Sequence, residues 1–184
     1  MIRIHCDYSL YVPQLPHDDR RNESKVGTGF LLRINGTSLI LTAHHVVSNA
    51  VRVTCTSPKL PDGEARVLRI VGVNPHLDVA MLVGPDELMR LPYFVPSAST
   101  TLGPKHPVTC IGFAGGTLRI HQASGTISGR NEFPHNRIQT DTAINPGNSG
   151  GPMLDAKFGT VIGVVTSGMN LMQATNFFTP MEET

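Results

Sequence analysis

Apolar and polar positions along this chain alternate with a period of two or gather in short runs, and nowhere do they recur at the 3.6-residue spacing of a long amphipathic helix. Runs at 29–34, 39–42, 51–55, 65–71 and 78–83 read as strands, and the pair Asn35 and Gly36 between the first two is a hairpin signal. A second series follows at 108–113, 118–128, 138–141, 161–166 and 174–179, with Gly or Pro in nearly every gap. Between the series lie Pro85, Pro92, Pro96, Pro104 and Pro107 and the polar string 97–101, which mark the connection between two halves. Residues 1–25 are largely polar, end in HDDRRNESK, and are expected as an N-terminal arm. The layout is all-β: two small antiparallel barrels or sandwiches, about 26–90 and about 105–184, meeting along a cleft.

Composition fits that layout and removes several classes of function. Hydrophobic residues are 40% and charged residues 16%, so the chain is globular and not a solvated polyelectrolyte. Fifteen Lys and Arg against fourteen Asp and Glu leave a formal charge of +1, which offers no field for nucleic acid or an anionic membrane. Cys6, Cys55 and Cys110 are odd in number and widely spaced, with no CxxC pair, so neither a disulfide framework nor a zinc site is expected. The opening MIRIHCDYSLYVPQL mixes charge into its apolar positions and does not read as a signal peptide, and no run approaches a membrane span. A cytoplasmic or other reducing compartment is therefore expected, with a viral origin left open.

The segment PGNSGGP (146–152) is the most informative. Glycines around one serine let the backbone bend so that its N–H groups aim inward, as the oxyanion of an acyl-transfer intermediate requires. Gly147 N–H and Ser149 N–H are the candidate donors; a tight surface turn is the competing reading of this segment alone. A serine hydroxyl becomes a nucleophile only when a histidine takes its proton and an acid steadies that histidine. Every histidine precedes Ser149, so the Ser, acid, His order of α/β-hydrolases cannot be assembled, whereas the order His, Asp, Ser can.

With TAHHVV (42–47), LDVAML (77–82), TDTAINPGNSGGP (140–152) and VIGVVTSG (161–168) in that order, the chain resembles the trypsin-like serine proteases, most closely the HtrA/Deg branch. The resemblance runs from VGTGFLL at Val26 to NFFTP at Pro180. It implies two six-stranded antiparallel β-barrels with the active site in the cleft between them. It implies His45 as general base in preference to His44, Asp78 as its orienting acid in preference to Asp141, and Ser149 as nucleophile. It further implies that Thr166, Ser167 and Gly168 pair with an extended peptide, an affinity carried by main-chain bonds. Ala143 stands six residues before the nucleophile, where enzymes that cut after Arg or Lys carry an acid, so a small or apolar residue is expected at P1.

Departures from secreted trypsins are Asn148 in place of the aspartate that receives a cut N-terminus, and Val46 in place of a cysteine. The PDZ domain usual in the branch is not expected after Thr184, and the loop 129–137 is short for a segment that senses regulators. The expected function is a serine endopeptidase working through an acyl-enzyme, with no cofactor and no metal, acting on extended protein or peptide substrates. The alternative is a silent protease fold that serves as a peptide-binding or structural subunit. Trimers are common in the branch, so a homo-oligomer is left open.

Overall fold

The computed structural model describes residues 1–9, 22–60, 62–131, 137–168 and 176–183. The first half holds β1 (Ile2–Ser9), β2 (Asn22–Ile34), β3 (Thr37–Ala43), β4 (Arg52–Thr56), β5 (Arg66–Val67), β6 (Arg69–Asn74) and β7 (Val79–Val83). They form a curled antiparallel sheet in the order β5-β4-β1-β2-β3-β7-β6. Only Leu68 separates β5 from β6, and its N–H bonds Val53 O in β4 at 2.9 Å, so the two ends of the sheet are one bent run of chain. The second half holds β8 (Pro107–Gly112), β9 (His121–Asn131), β10 (Arg137–Thr140), β11 (Pro152–Asp155), β12 (Val161–Gly168) and β13 (Asn176–Pro180). These close into a six-stranded barrel, β10-β13-β12-β11-β8-β9. The two α-helices among the described residues, α1 (His44–Val47) and α2 (Asp86–Met89), are one turn each.

Residues 2–9 are not part of an arm. β1 sits between β2 and β4, with Ile2, Ile4, Cys6 and Tyr8 in the core and Arg3, His5 and Asp7 half-buried on the other face. The charges that made this stretch look like solvated chain fall on alternate positions, which is the pattern of a strand with one buried face. Residues 10–21 lie outside the described residues. The hairpin at Asn35 and Gly36 has φ of 50° and 83°, the left-handed pair a type I′ turn requires, and it sets Ile34 opposite Thr37.

The connection between the halves is packed chain. Leu88 of α2 is fully buried, Phe94 N–H bonds Leu31 O at 2.8 Å, and Ser97 N–H bonds Val161 O at 2.8 Å. The Phe94 ring meets Phe30 edge-on, with centroids 5.9 Å apart. Beneath it Phe30, Leu32, Leu41 and Val79 of the first half join Leu154, Val161 and Val164 of the second in one cluster. That shared core fixes the facing surfaces of the two halves.

Cys6, Cys55 and Cys110 are free thiols inside the two cores, and burial pushes them up to about 11, about 12 and about 12. A thiol reacts as its thiolate, so all three should be silent toward 5,5′-dithiobis(2-nitrobenzoate) at pH 8 in the native state and become titratable in guanidinium. Stoichiometric reaction of folded protein would contradict this burial.

Candidate functional site

The β3–β7 register, Thr42 opposite Ala80 and Ala43 opposite Val79, brings the end of β3 beside the start of β7. The next residues outward are His44 and His45 on one side and Asp78 on the other. His44 N–H bonds Asp78 O at 3.0 Å, and His45 N–H bonds Asp78 Oδ1 at 2.8 Å. The remaining oxygen, Oδ2, lies 2.7 Å from His45 Nδ1. A carboxylate can only accept, so Nδ1 carries the proton in that contact and the neutral ring keeps its lone pair on Nε2. Asp78 is 12% exposed at its side chain and His45 47%, so the acid is enclosed and the ring faces the cleft. Asp78 has φ of 55°, a left-handed conformation held by these contacts and by its own N–H on Pro75 O at 3.3 Å. From the second half, Thr179 donates its hydroxyl to Leu77 O at 2.6 Å, tying the acid's neighbour to β13.

His45, Val46, Lys25, Val26, Pro146, Gly147 and Ser149 line one cleft of about 300 Å³. Residues 146–151 bend through left-handed glycines, with φ of 95° at Gly147 and 82° at Gly150. Asn148 N–H goes to Asn145 O, Gly150 N–H to Val165 O and Gly151 N–H to Asn148 O. Among the described residues neither Gly147 N–H nor Ser149 N–H is given to a protein acceptor. Both belong to peptides whose carbonyls are tied down: Pro146 O accepts Gly115 N–H at 2.6 Å, and Asn148 O accepts Gly151 N–H at 2.9 Å. Since C=O and N–H point opposite ways in a trans peptide, anchoring each carbonyl aims the neighbouring N–H away from its anchor.

Ser149 is half-buried, and its hydroxyl makes a long contact of 3.5 Å with Thr166 O. Thr166 is fully buried and turns its own hydroxyl to Phe177 O at 3.4 Å. Ser167 and Gly168 continue β12 opposite Phe177 and Asn176, whereas β11 pairs with β12 only as far as Val164. Ala143 is exposed and does not line the cleft around His45. Asp141 is engaged by the Thr126 N–H and, at 3.0 Å, by the Thr126 hydroxyl, which places it on the β9–β10 irregularity and away from the imidazole pair. Among the described residues no group of three or more His, Cys, Asp or Glu side chains could hold a metal ion.

Sequence reasoning passed over Thr28. Its N–H bonds Ser149 O at 2.9 Å, its hydroxyl bonds Gly147 O at 2.6 Å, and it receives Phe113 N–H at 3.0 Å. One buried threonine from β2 thus grips the serine loop from the other half. The signal was the small residue between two glycines in VGTGFLL, since neither glycine leaves room for a side chain: a Cβ on Gly27 would meet Val46 and one on Gly29 would meet Ile4. Lys25 and Val26 were likewise placed at the margin of the domain and stand in the cleft.

The model of a family described as a trypsin-like peptidase domain matches residues 27–164. The chain belongs to this family. Within it, the chain is similar to HhoB of Synechocystis sp., 36% identical over 177 residues that cover 92% of this chain and 41% of that one. It is also similar to a Chlamydia trachomatis protein named "Probable periplasmic serine endoprotease DegP-like", 39% identical over 147 residues covering 77% of this chain and 28% of that one. Among solved structures, the HtrA-type protease AlgW with tripeptide superposes with a TM-score of 0.76 at 28% identity, covering 98% of this chain and 56% of that one. The chain thus spans 28–41% of the length of these curated relatives.

The expectation of a cytoplasmic or reducing compartment is overturned by these names. The Chlamydia relative and a Pseudomonas putida relative 33% identical over 165 residues are both named periplasmic. The inference failed because a lack of disulfides says nothing about compartment when every thiol is buried and held protonated.

Proposed function

We propose that this trypsin-like domain is a serine endopeptidase of the HtrA/Deg type, with Ser149 as nucleophile, His45 as general base and Asp78 as the group that orients and steadies the imidazole. The observation that carries the reading is the double grip of Asp78 on His45, at 2.8 Å and 2.7 Å, in a cleft shared with Ser149 and with the Gly147 and Ser149 N–H groups, which no acceptor among the described residues claims. Ser149 Oγ turns about its Cα–Cβ bond from Thr166 O toward Nε2, gives up its proton to that nitrogen, and bonds the scissile carbonyl carbon. The carbonyl oxygen takes the negative charge and is received by Gly147 N–H and Ser149 N–H. His45 passes the proton to the leaving amine, and water then releases the acyl group by the same steps.

The edge of β12 beyond Val165, past the bonds that Val165 makes to Gly150 and Gly151, supports binding of an extended peptide along residues 166–168. A peptide N–H that claims Thr166 O displaces the Ser149 hydroxyl, so substrate arrival and nucleophile release are coupled. Ala143 supplies no charge for a basic side chain, which favours small or apolar P1 residues. The periplasmic names of the relatives point to work in an extracytoplasmic compartment on protein substrates.

Digestion of an unfolded protein mixture, with new termini read by mass spectrometry, tests this reading. Cleavage after small and apolar residues, lost in Ser149→Ala, is expected. Cleavage chiefly after Lys or Arg would overturn the P1 assignment, and no cleavage by folded protein would favour the peptide-binding alternative.

A further inference from the structure

We infer that Arg3, on the first strand, is a positioning residue for the oxyanion site, acting through the turn at Ala114–Gly116; the inference rests on the serine-endopeptidase reading above. Strand alternation puts Arg3 on the face of β1 away from the core, and Arg3 Nη2 donates to Gly116 O at 2.5 Å across the junction of the two halves. The other terminal nitrogen, Nη1, contacts His5 Nε2, two residues along on the same face. Burial, and then the Arg3 charge, push the His5 imidazole below its ordinary pKa, so it meets the guanidinium as an uncharged acceptor. His5 thereby fixes the direction in which Arg3 points.

Gly115 and Gly116 have φ of 66° and 68° in succession, a stretch with no side chain and little intrinsic stiffness. Its start is held by Phe113 N–H on the Thr28 hydroxyl, and its exit by the Thr117 hydroxyl on Ala114 O at 3.1 Å. Within the turn Gly116 N–H bonds Phe113 O at 2.9 Å and Thr117 N–H reaches Ala114 O at 3.4 Å, and among the described residues Arg3 supplies the side chain that takes its last carbonyl, Gly116 O. Gly115 N–H is the donor that anchors Pro146 O, and the Pro146–Gly147 peptide carries the first oxyanion N–H on its opposite side. Gly147 packs directly on the turn, since a Cβ there would lie 2.2 Å from Phe113 O and 2.9 Å from Gly116 N. If the Arg3 grip is lost, the turn keeps Gly116 N–H on Phe113 O and the Thr117 bonds to Ala114 O but loses its tie to β1 at Gly116 O. The turn then shifts as a unit, carrying Gly115 N–H with it, and the Pro146–Gly147 peptide that this N–H anchors moves the oxyanion donor out of line. Misalignment of a preorganised donor weakens the transition state more than the bound ground state.

The test compares Arg3→Gln and Arg3→Lys with the unaltered chain in three readouts: kcat and KM on a peptide with a small apolar P1 residue, affinity for the corresponding peptide boronic acid, and amide 15N–1H resonances of Gly115 and Gly147. Arg3→Gln is expected to lower kcat about tenfold or more with KM changed less than twofold, to weaken the boronic acid in proportion, and to shift both glycine resonances. Arg3→Lys, which keeps a donor of similar reach, is expected to recover part of the loss. Unchanged kcat and unmoved glycine resonances in Arg3→Gln would overturn the inference, even if its melting temperature falls. An unaltered chain without turnover would overturn the function proposed above instead, and the glycine resonances would then still decide whether Arg3 orients the peptide.

Discussion

Asp78→Asn should lower kcat by about 10⁴-fold, roughly 5.5 kcal/mol of transition-state stabilisation, while leaving the fold intact. The size follows from the two bonds on one carboxylate. Oδ1 accepts His45 N–H at 2.8 Å, so an asparagine must keep its oxygen there and present its NH₂ to Nδ1 where Oδ2 now stands at 2.7 Å. Nδ1 then becomes the acceptor, the ring proton moves to Nε2, and the nitrogen facing the cleft can no longer take a proton from Ser149. Steady-state kinetics beside a thermal melt checks this. A loss below about tenfold would mean that the tautomer of His45 does not govern the reaction.

Gly150→Ala should have the largest effect on stability. A Cβ at Gly150 would lie 2.1 Å from Thr42 Oγ1, 2.3 Å from Thr28 O and 2.7 Å from Ala43 N, all in the first half, and backbone atoms cannot swing aside. Gly36 has nearly the same φ, 83° against 82°, but open space around it. Gly36→Ala therefore measures the backbone strain alone, about 1–2 kcal/mol. Gly150→Ala adds the overlap and should cost about 3 kcal/mol more, with loss of activity as the serine loop is pushed from its seat. Urea denaturation of the two variants gives the difference directly. Equal destabilisation would show that the halves yield at this contact.

The fold was legible where side chains alternate without interruption. Residues 39–42 and 108–113 announce strands by apolar content alone, and Asn35 with Gly36 announces the turn by its φ requirement. β1 was missed because charge at Arg3, His5 and Asp7 outweighed the alternation beneath it. β11 was missed because its four residues, Pro152–Asp155, follow directly on the glycine loop and are all buried, and its one polar residue, Asp155, stands at the end, so no alternation reveals a period. In the expectation of two six-stranded barrels, the bend at Leu68 was invisible, although it turns one predicted strand into β5 and β6.

The candidate site was legible in its reactive groups and not in its supports. Histidine, aspartate and serine types are constrained by the chemistry of proton transfer, so their order and neighbours carry information. Thr28, Thr179 and Arg3 act through bonds to main-chain carbonyls of Gly147, Leu77 and Gly116. Such bonds accept any nearby hydroxyl or guanidinium, which leaves no spacing rule to find them by. The same holds for the seat of Gly150, which becomes visible only once Thr28 and Thr42 are placed against it.

Reaction of the folded chain with a fluorophosphonate, followed by mass spectrometric mapping of the adduct, tests the central claim most directly. One phosphonyl group per chain on Ser149, slowed by orders of magnitude in His45→Ala and Asp78→Asn and absent in Ser149→Ala, is the expected result. A folded chain that stays unlabelled, or one that labels at Ser149 equally fast without His45, would contradict the account.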